Sequence, residues 1–165
     1  MKTYKGKNAS PGWSVSKAFF LNTEINFEKE VKNDFKIGLD ILNKRYVDLI
    51  EDLKKNHREV ESEVIEAYKL ILNDPEILSR CEQLDPKDII NIYDVFRSSA
   101  KMLESLEDDY FKQRSEDILS IGKELILIMQ NIQTSKIQDE DVILIAKDLT
   151  PNDTSVLNLK KIKGF

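Results

Sequence analysis

One histidine, one cysteine and a helically spaced run of carboxylates are the side chains of this 165-residue chain whose types could do chemistry. An imidazole can accept a phosphoryl group, but His57 lies between Lys54-Lys55 and the acidic stretch from Glu59, where no donors cluster to hold transferred oxygens. It reads as an exposed structural histidine. Cys81 falls on the apolar side of a helix and reads as packing, not as a nucleophile. Glu59, Glu63 and Glu66 share one helix side next to Val60, Val64 and Tyr68. They form either a solvated face or an acidic rim around an apolar patch, suited to steering a basic protein surface. Arg114 can bridge to Glu116 or Asp117, and Asp74, just ahead of Pro75, supplies the oxygen of a helix cap. No catalytic residue and no metal ligand is assigned.

The elements that must position these residues are mainly helical. Apolar residues at Val31, Phe35, Leu39, Leu42, Tyr46, Leu49 and Leu53 mark one long stripe that starts at Phe27, with a break near Lys54 to His57. Val60, Val64, Tyr68 and Ile71 carry a second segment. Asp74-Pro75 and Asp85-Pro86 each predict a helix start at the proline. The helix from Pro86 presents Ile89, Ile92, Phe96, Ala100, Leu103 and Leu106 on one side; the next, after Glu107-Asp108-Asp109, presents Phe111, Ile118, Ile121, Leu125, Ile128 and Ile132. Gly122 sits within that last stripe, where another backbone is expected to come close. Short connections predict an antiparallel bundle of roughly four main helices. Coiled-coil dimerisation is the rival, since the apolar steps average near 3.5.

The ends differ. Ser10-Pro11-Gly12 marks a turn, and the alternation from Trp13 to Leu21 predicts a strand pair or hairpin-like entry, with Trp13 and Phe19 in the core. Val142 to Ala146 is continuously apolar, as in a strand covered on both faces. Thr150-Pro151-Asn152-Asp153 opens a short helix closed down by Leu157 and Leu159, and Ile162 to Phe165 begins another strand. Such a sheet lacks neighbours and covering helices, so either the chain is the front portion of a longer protein, or a partner completes it, or a small sheet capping the bundle suffices.

A net charge of −5 with interspersed signs disfavours nucleic acid, and no apolar run approaches the ~20 residues of a membrane span. A lone cysteine makes no internal disulfide, which fits a cytoplasmic protein.

Several stretches together resemble the amino-terminal part of Enzyme I of the bacterial phosphoenolpyruvate:sugar phosphotransferase system. They are "GKNASPGWSVSKA" (6–18), "VIEAYKLILNDPEIL" (64–78), "LEDDYFKQRSEDILSIGK" (106–123) and "VILIAKDLTPNDTSVLNLKKIKGF" (142–165), in the family's order and across almost the whole chain. The resemblance implies a helical subdomain at residues 26–134 that docks the small carrier HPr. This is flanked by an incomplete α/β phosphohistidine subdomain built from 1–25 and 135–165. It also implies HPr contact for Glu66, Tyr68, Asp74, Glu76 and Arg114. The family relays a phosphoryl group from phosphoenolpyruvate through its own histidine to HPr for sugar uptake, with Mg²⁺ in the full-length enzyme. Its histidine follows in a G-G-R-T-S-H segment just beyond the Gly-Phe that ends this sequence. The expectation is therefore a chain cut ahead of the phosphohistidine, inactive alone, cofactor-free and monomeric. The alternative is a non-enzymatic module that binds HPr or another helical partner. Departures from the pattern are Leu119 for a second arginine, Ser120 for an aspartate, Tyr68 at the usual histidine and Ser16 at a usual glycine. They imply a divergent member.

Overall fold

A computed structural model describes residues 12–21, 24–105, 108–132, 140–146, 149 and 161–164. Among them the order is β1 (Lys17–Leu21), α1 (Phe35–Lys55), α2 (Glu59–Leu72), α3 (Pro75–Glu82), α4 (Ile89–Glu104), α5 (Asp109–Met129), β2 (Val142–Ala146) and β3 (Ile162–Gly164). The molecule is a mainly helical bundle with a small parallel sheet.

Helix α1 starts later than its apolar stripe. Asp34, in extended conformation, accepts from the Ile37 N–H at 2.9 Å and sets the helix start. Phe27 and Val31 precede it in an irregular segment whose Lys32 and Asn33 N–H groups both donate to the Met129 carbonyl at 2.8 Å. The stripe continues through that segment because it faces the same core; Val31 packs on the core and the Phe27 ring tilts against Tyr93. The break after Lys55 is a Schellman turn. His57 takes a left-handed φ of 56°, its N–H donates to the Lys54 carbonyl, and Arg58 N–H reaches back to Leu53 at 2.9 Å.

Asp74 and Pro75 start α3 as the sequence predicts, with Asp74 Oδ1 accepting from Glu76 N–H at 2.9 Å and Ile77 N–H at 3.2 Å. Pro86 does not start α4. Asp85 Oδ1 instead takes the Lys87 N–H at 2.8 Å, closing a turn, and Asp88 caps α4 by accepting from Asn91 N–H at 3.1 Å. The Pro86 carbonyl is engaged by Phe35 N–H at 2.7 Å, which ties this turn to the first residue of α1.

The core joins α1 to α5, with Leu42, Tyr46, Ile65, Leu72, Ile92, Phe96, Ile121 and Leu125 among its buried members. Gly122 lets α5 approach α4, but its neighbour is a side chain and not a backbone: an added Cβ would stand 2.7 Å from both Cβ and Cγ of Phe96.

The sheet has order β1-β2-β3, both pairings parallel, with Lys17 opposite Val142 and Leu21 opposite Ala146. The hairpin-like entry is therefore corrected: β1 pairs with a strand from the far end of the chain, and Trp13, expected in the core, is exposed. Leu21, Val142 and Leu144 form a second small core, against which Phe19 packs. The period of two sends Phe20 and Ile145 to the opposite face, where they are 71% and 42% exposed, and Ile143 on that face is half-buried. The expected helix at Thr150 to Asp153, its closing Leu157 and Leu159, and Leu106 lie outside the described residues.

Candidate functional site

Helix α2 sorts its residues by helical period. Tyr68 is buried at 1% exposure and Val64 half-buried, whereas Val60, beside Glu59, and Leu70, one turn after Glu66, stand 72% and 76% exposed. The apolar line seen in the sequence is thus split. Val60 and Leu70 are the two outward apolar side chains of α2, about 15 Å apart along the helix, with exposed or half-exposed acids along the same helix. Glu66 is half-exposed and accepts from Lys54 Nζ at 2.6 Å. Leu70 also walls a groove between α1 and α2 of about 510 Å³, with Val47 and Ile50 opposite and Glu51, Glu66, Lys69 and Asn73 around it. Asn43 and Asn73 exchange amide hydrogen bonds at 3.2 and 2.7 Å and hold the two helices together at one end of the groove.

At the corner between α2 and α3, Asp74 is occupied as a cap and Glu76 lies exposed in the first turn. Arg114, on α5, donates from Nη1 to Asp117 Oδ2 at 3.2 Å, and Asp117 Oδ1 accepts from the Tyr68 hydroxyl at 2.8 Å. Tyr68 and Arg114 are therefore brought together through one carboxylate. Burial, then the Asp117 hydrogen bond, push the Tyr68 phenol above its ordinary pKa. With its ring 1% exposed, Tyr68 lies under the face and not on it.

Sequence reasoning treated Asp117 only as a surface bridge and did not single out Arg45 or Glu124, nor Tyr46 beyond its place in a stripe. Glu124 is 8% exposed and accepts from Arg45 Nη1 at 2.9 Å and from the Tyr46 hydroxyl at 2.8 Å. The signal was present: Asp117 and Glu124 adjoin the apolar line Ile118, Ile121 and Leu125, so acids at those positions must be buried or nearly so, and buried acids need partners.

His57 is 91% exposed at its side chain, with Glu59 Oε1 4.0 Å from Nδ1. Cys81 is buried, and burial pushes its thiol up to about 11, which keeps it protonated and unreactive at neutral pH. Among the described residues no group of three or more His, Cys, Asp or Glu could hold a metal ion, and no helix is long and apolar enough to cross a membrane.

Residues 5–114 match the family model described as PEP-utilising enzyme, N-terminal. The chain is 31% identical to the phosphoenolpyruvate-protein phosphotransferase of Priestia megaterium over 178 positions, covering 99% of this chain and 31% of that protein. It is 32% identical to the phosphoenolpyruvate-protein phosphotransferase of Mycoplasma genitalium, covering 100% of this chain and 32% of that protein. The chain thus spans about a third of the length of the curated relatives it matches. Among solved structures it is similar to the NMR solution structure of Enzyme I (nEIt), with a TM-score of 0.74 and 25% identity over 95% of this chain and 70% of the other.

Proposed function

The chain belongs to the family of PEP-utilising enzyme N-terminal domains, and from that membership we propose that its helical part, residues 26–134, docks the phosphocarrier HPr within a phosphoenolpyruvate-protein phosphotransferase of the Enzyme I type. One observation carries the proposal: α2 turns Val60 and Leu70 outward at 72% and 76% exposure, with Glu59 and Glu63 near the first, Glu66 one turn before the second, and Glu76 beyond the corner. Exposed apolar side chains with carboxylates along the same helix suit a partner with an apolar anchor and a basic rim. The apolar contacts supply affinity, and the carboxylates supply orientation and encounter rate. Arg114, on α5, has the planar fork that meets phosphoryl or carboxylate oxygens two at a time.

In this proposal the relay of phosphoryl from phosphoenolpyruvate to HPr belongs to the whole protein, and the bundle contributes alignment: holding the carrier at a fixed place raises the effective concentration of its reacting group. The Mg²⁺ that the family implies does not fit the described residues, which offer it no set of ligands. Nothing in docking requires it.

An NMR titration of the chain with HPr tests the proposal. The expected result is shifts clustered from Val60 to Glu76 and at Arg114, weakened by Leu70→Ala or by Glu63→Lys. A saturating titration without shifts in that segment overturns it.

A further inference from the structure

Asp117 and Glu124 stand about two helical turns apart on α5, and each carries one tyrosine and one arginine. Asp117 accepts from the Tyr68 hydroxyl at 2.8 Å and from Arg114 Nη1 at 3.2 Å; Glu124 accepts from the Tyr46 hydroxyl at 2.8 Å and from Arg45 Nη1 at 2.9 Å. The two tyrosine rings meet edge to face, with centroids 6.4 Å apart. Six side chains from α1, α2 and α5 therefore form one line that reads Arg114, Asp117, Tyr68, Tyr46, Glu124, Arg45, with a part-exposed guanidinium at each end.

The two halves share their chemistry but not their setting, since only Arg114 belongs to the proposed docking set. A carboxylate tied on one oxygen by a buried phenol cannot turn without leaving that hydroxyl unbonded in the core. Its other oxygen is then a fixed anchor for the guanidinium, which loses less freedom when an anion arrives.

We propose that Asp117 and Tyr68 are positioning residues for Arg114, holding its guanidinium in the orientation that meets the oxyanion which docking brings to α5. The identity of that oxyanion's carrier rests on the docking proposal above; the positioning of Arg114 does not. Tyr68 thus acts on the partner from inside the bundle.

The mirrored half supplies the control. Tyr68→Phe and Tyr46→Phe each delete one hydroxyl bonded to a buried carboxylate, but only the first touches the line to Arg114. With the 165-residue chain and HPr, Tyr68→Phe is expected to weaken binding about threefold to tenfold and Tyr46→Phe to leave it unchanged, although both lower the melting temperature. On an Arg114→Ala background, Tyr68→Phe should weaken binding no further. Equal effects of the two tyrosine variants, or additivity with Arg114→Ala, overturn the proposal. The Arg114 Nε–H resonance in the free protein supplies a second readout: it should move in Tyr68→Phe and Asp117→Asn and stay in Tyr46→Phe. If the unmodified chain does not bind HPr, the docking proposal fails alone. The resonance then decides the positioning, upheld by a shift and overturned by its absence.

Discussion

Asp74 joins two chemistries that substitution can separate. Its Oδ1 satisfies two N–H groups at the start of α3, a role that needs an acceptor but no charge. Docking of a basic surface needs the charge and not the cap. Asp74→Ala should therefore cost about 1 kcal/mol of stability, read as a lower urea midpoint, while Asp74→Ser should recover most of it. If the carboxylate also steers the carrier, Asp74→Ser should still slow association, and the loss should shrink as salt is added. Equal stability of the Ala and Ser variants would refute the capping role. This cap was legible in the sequence because an aspartate before a proline carries its structural meaning locally. The same pair at Asp85-Pro86 misled, because Asp88 lies three residues on and places its oxygen where Asn91 N–H is waiting. The contact implied for Tyr68 came from the resemblance of its segment and not from its own pattern, and only the packing of α2 on α5 shows its hydroxyl turned inward to Asp117.

Helix spacing in the bundle depends on two glycines, and their neighbours differ in how far they can yield. A Cβ on Gly122 would meet Phe96 at its own Cβ and Cγ, atoms next to the α4 backbone, both at 2.7 Å. A Cβ on Gly38 of α1 would meet Met129 Cγ at 2.8 Å and Leu125 Cδ1 at 3.3 Å, where a flexible side chain has more room to shift. Alanine gains about 1 kcal/mol of helix propensity over glycine at either position, and overpacking costs about 1–3 kcal/mol. Gly122→Ala should therefore be net destabilising by up to about 2 kcal/mol and Gly38→Ala closer to neutral, as thermal melts of the two variants would show. The reverse ranking would mean that α5 is free to slide on α4. Periodicity marked Gly122 as a close approach and found the helices themselves, because burial of one face writes itself into spacing. It did not identify Phe96 as the neighbour, since a stripe records that a face is covered and not by what. The parallel pairing of β1 with β2 was hidden for the same reason: the partners lie more than a hundred residues apart, and local alternation is equally compatible with a hairpin.

At the scale of the whole molecule, the bundle encloses several acids that hold their protons far more tightly than the unfolded chain does. Burial raises the Cys81 thiol to about 11, and burial followed by a neighbouring carboxylate raises the phenols of Tyr46 and Tyr68. In the unfolded chain a thiol titrates near ~8.5 and a phenol near ~10. Each of these groups is neutral in both states at neutral pH, so the stability it contributes is fully present there. As pH rises past the unfolded value, the unfolded chain releases a proton that the folded chain keeps, and stability falls until the folded pKa is passed. Each such proton is worth about 1.4 kcal/mol per pH unit. Cys81 should act first, from about pH 8.5, and the two tyrosines should steepen the fall from about pH 10. Urea midpoints followed by circular dichroism across this range should decline in that order. Cys81→Ser should flatten the first part, and Tyr68→Phe the second by about one proton. The tyrosine line makes the second step cooperative, because a phenolate formed at Tyr68 would face Asp117 and lie against Tyr46, whose own hydroxyl is bonded to Glu124. Both phenols are held above their ordinary pKa while α2 stays packed on α5, so the share of tyrosinate absorbance that Tyr46→Phe and Tyr68→Phe remove, two of the chain's five tyrosines, should rise together with loss of helix. If that share appeared well before unfolding, the line would be open to solvent and the basis for a fixed Arg114 would be gone.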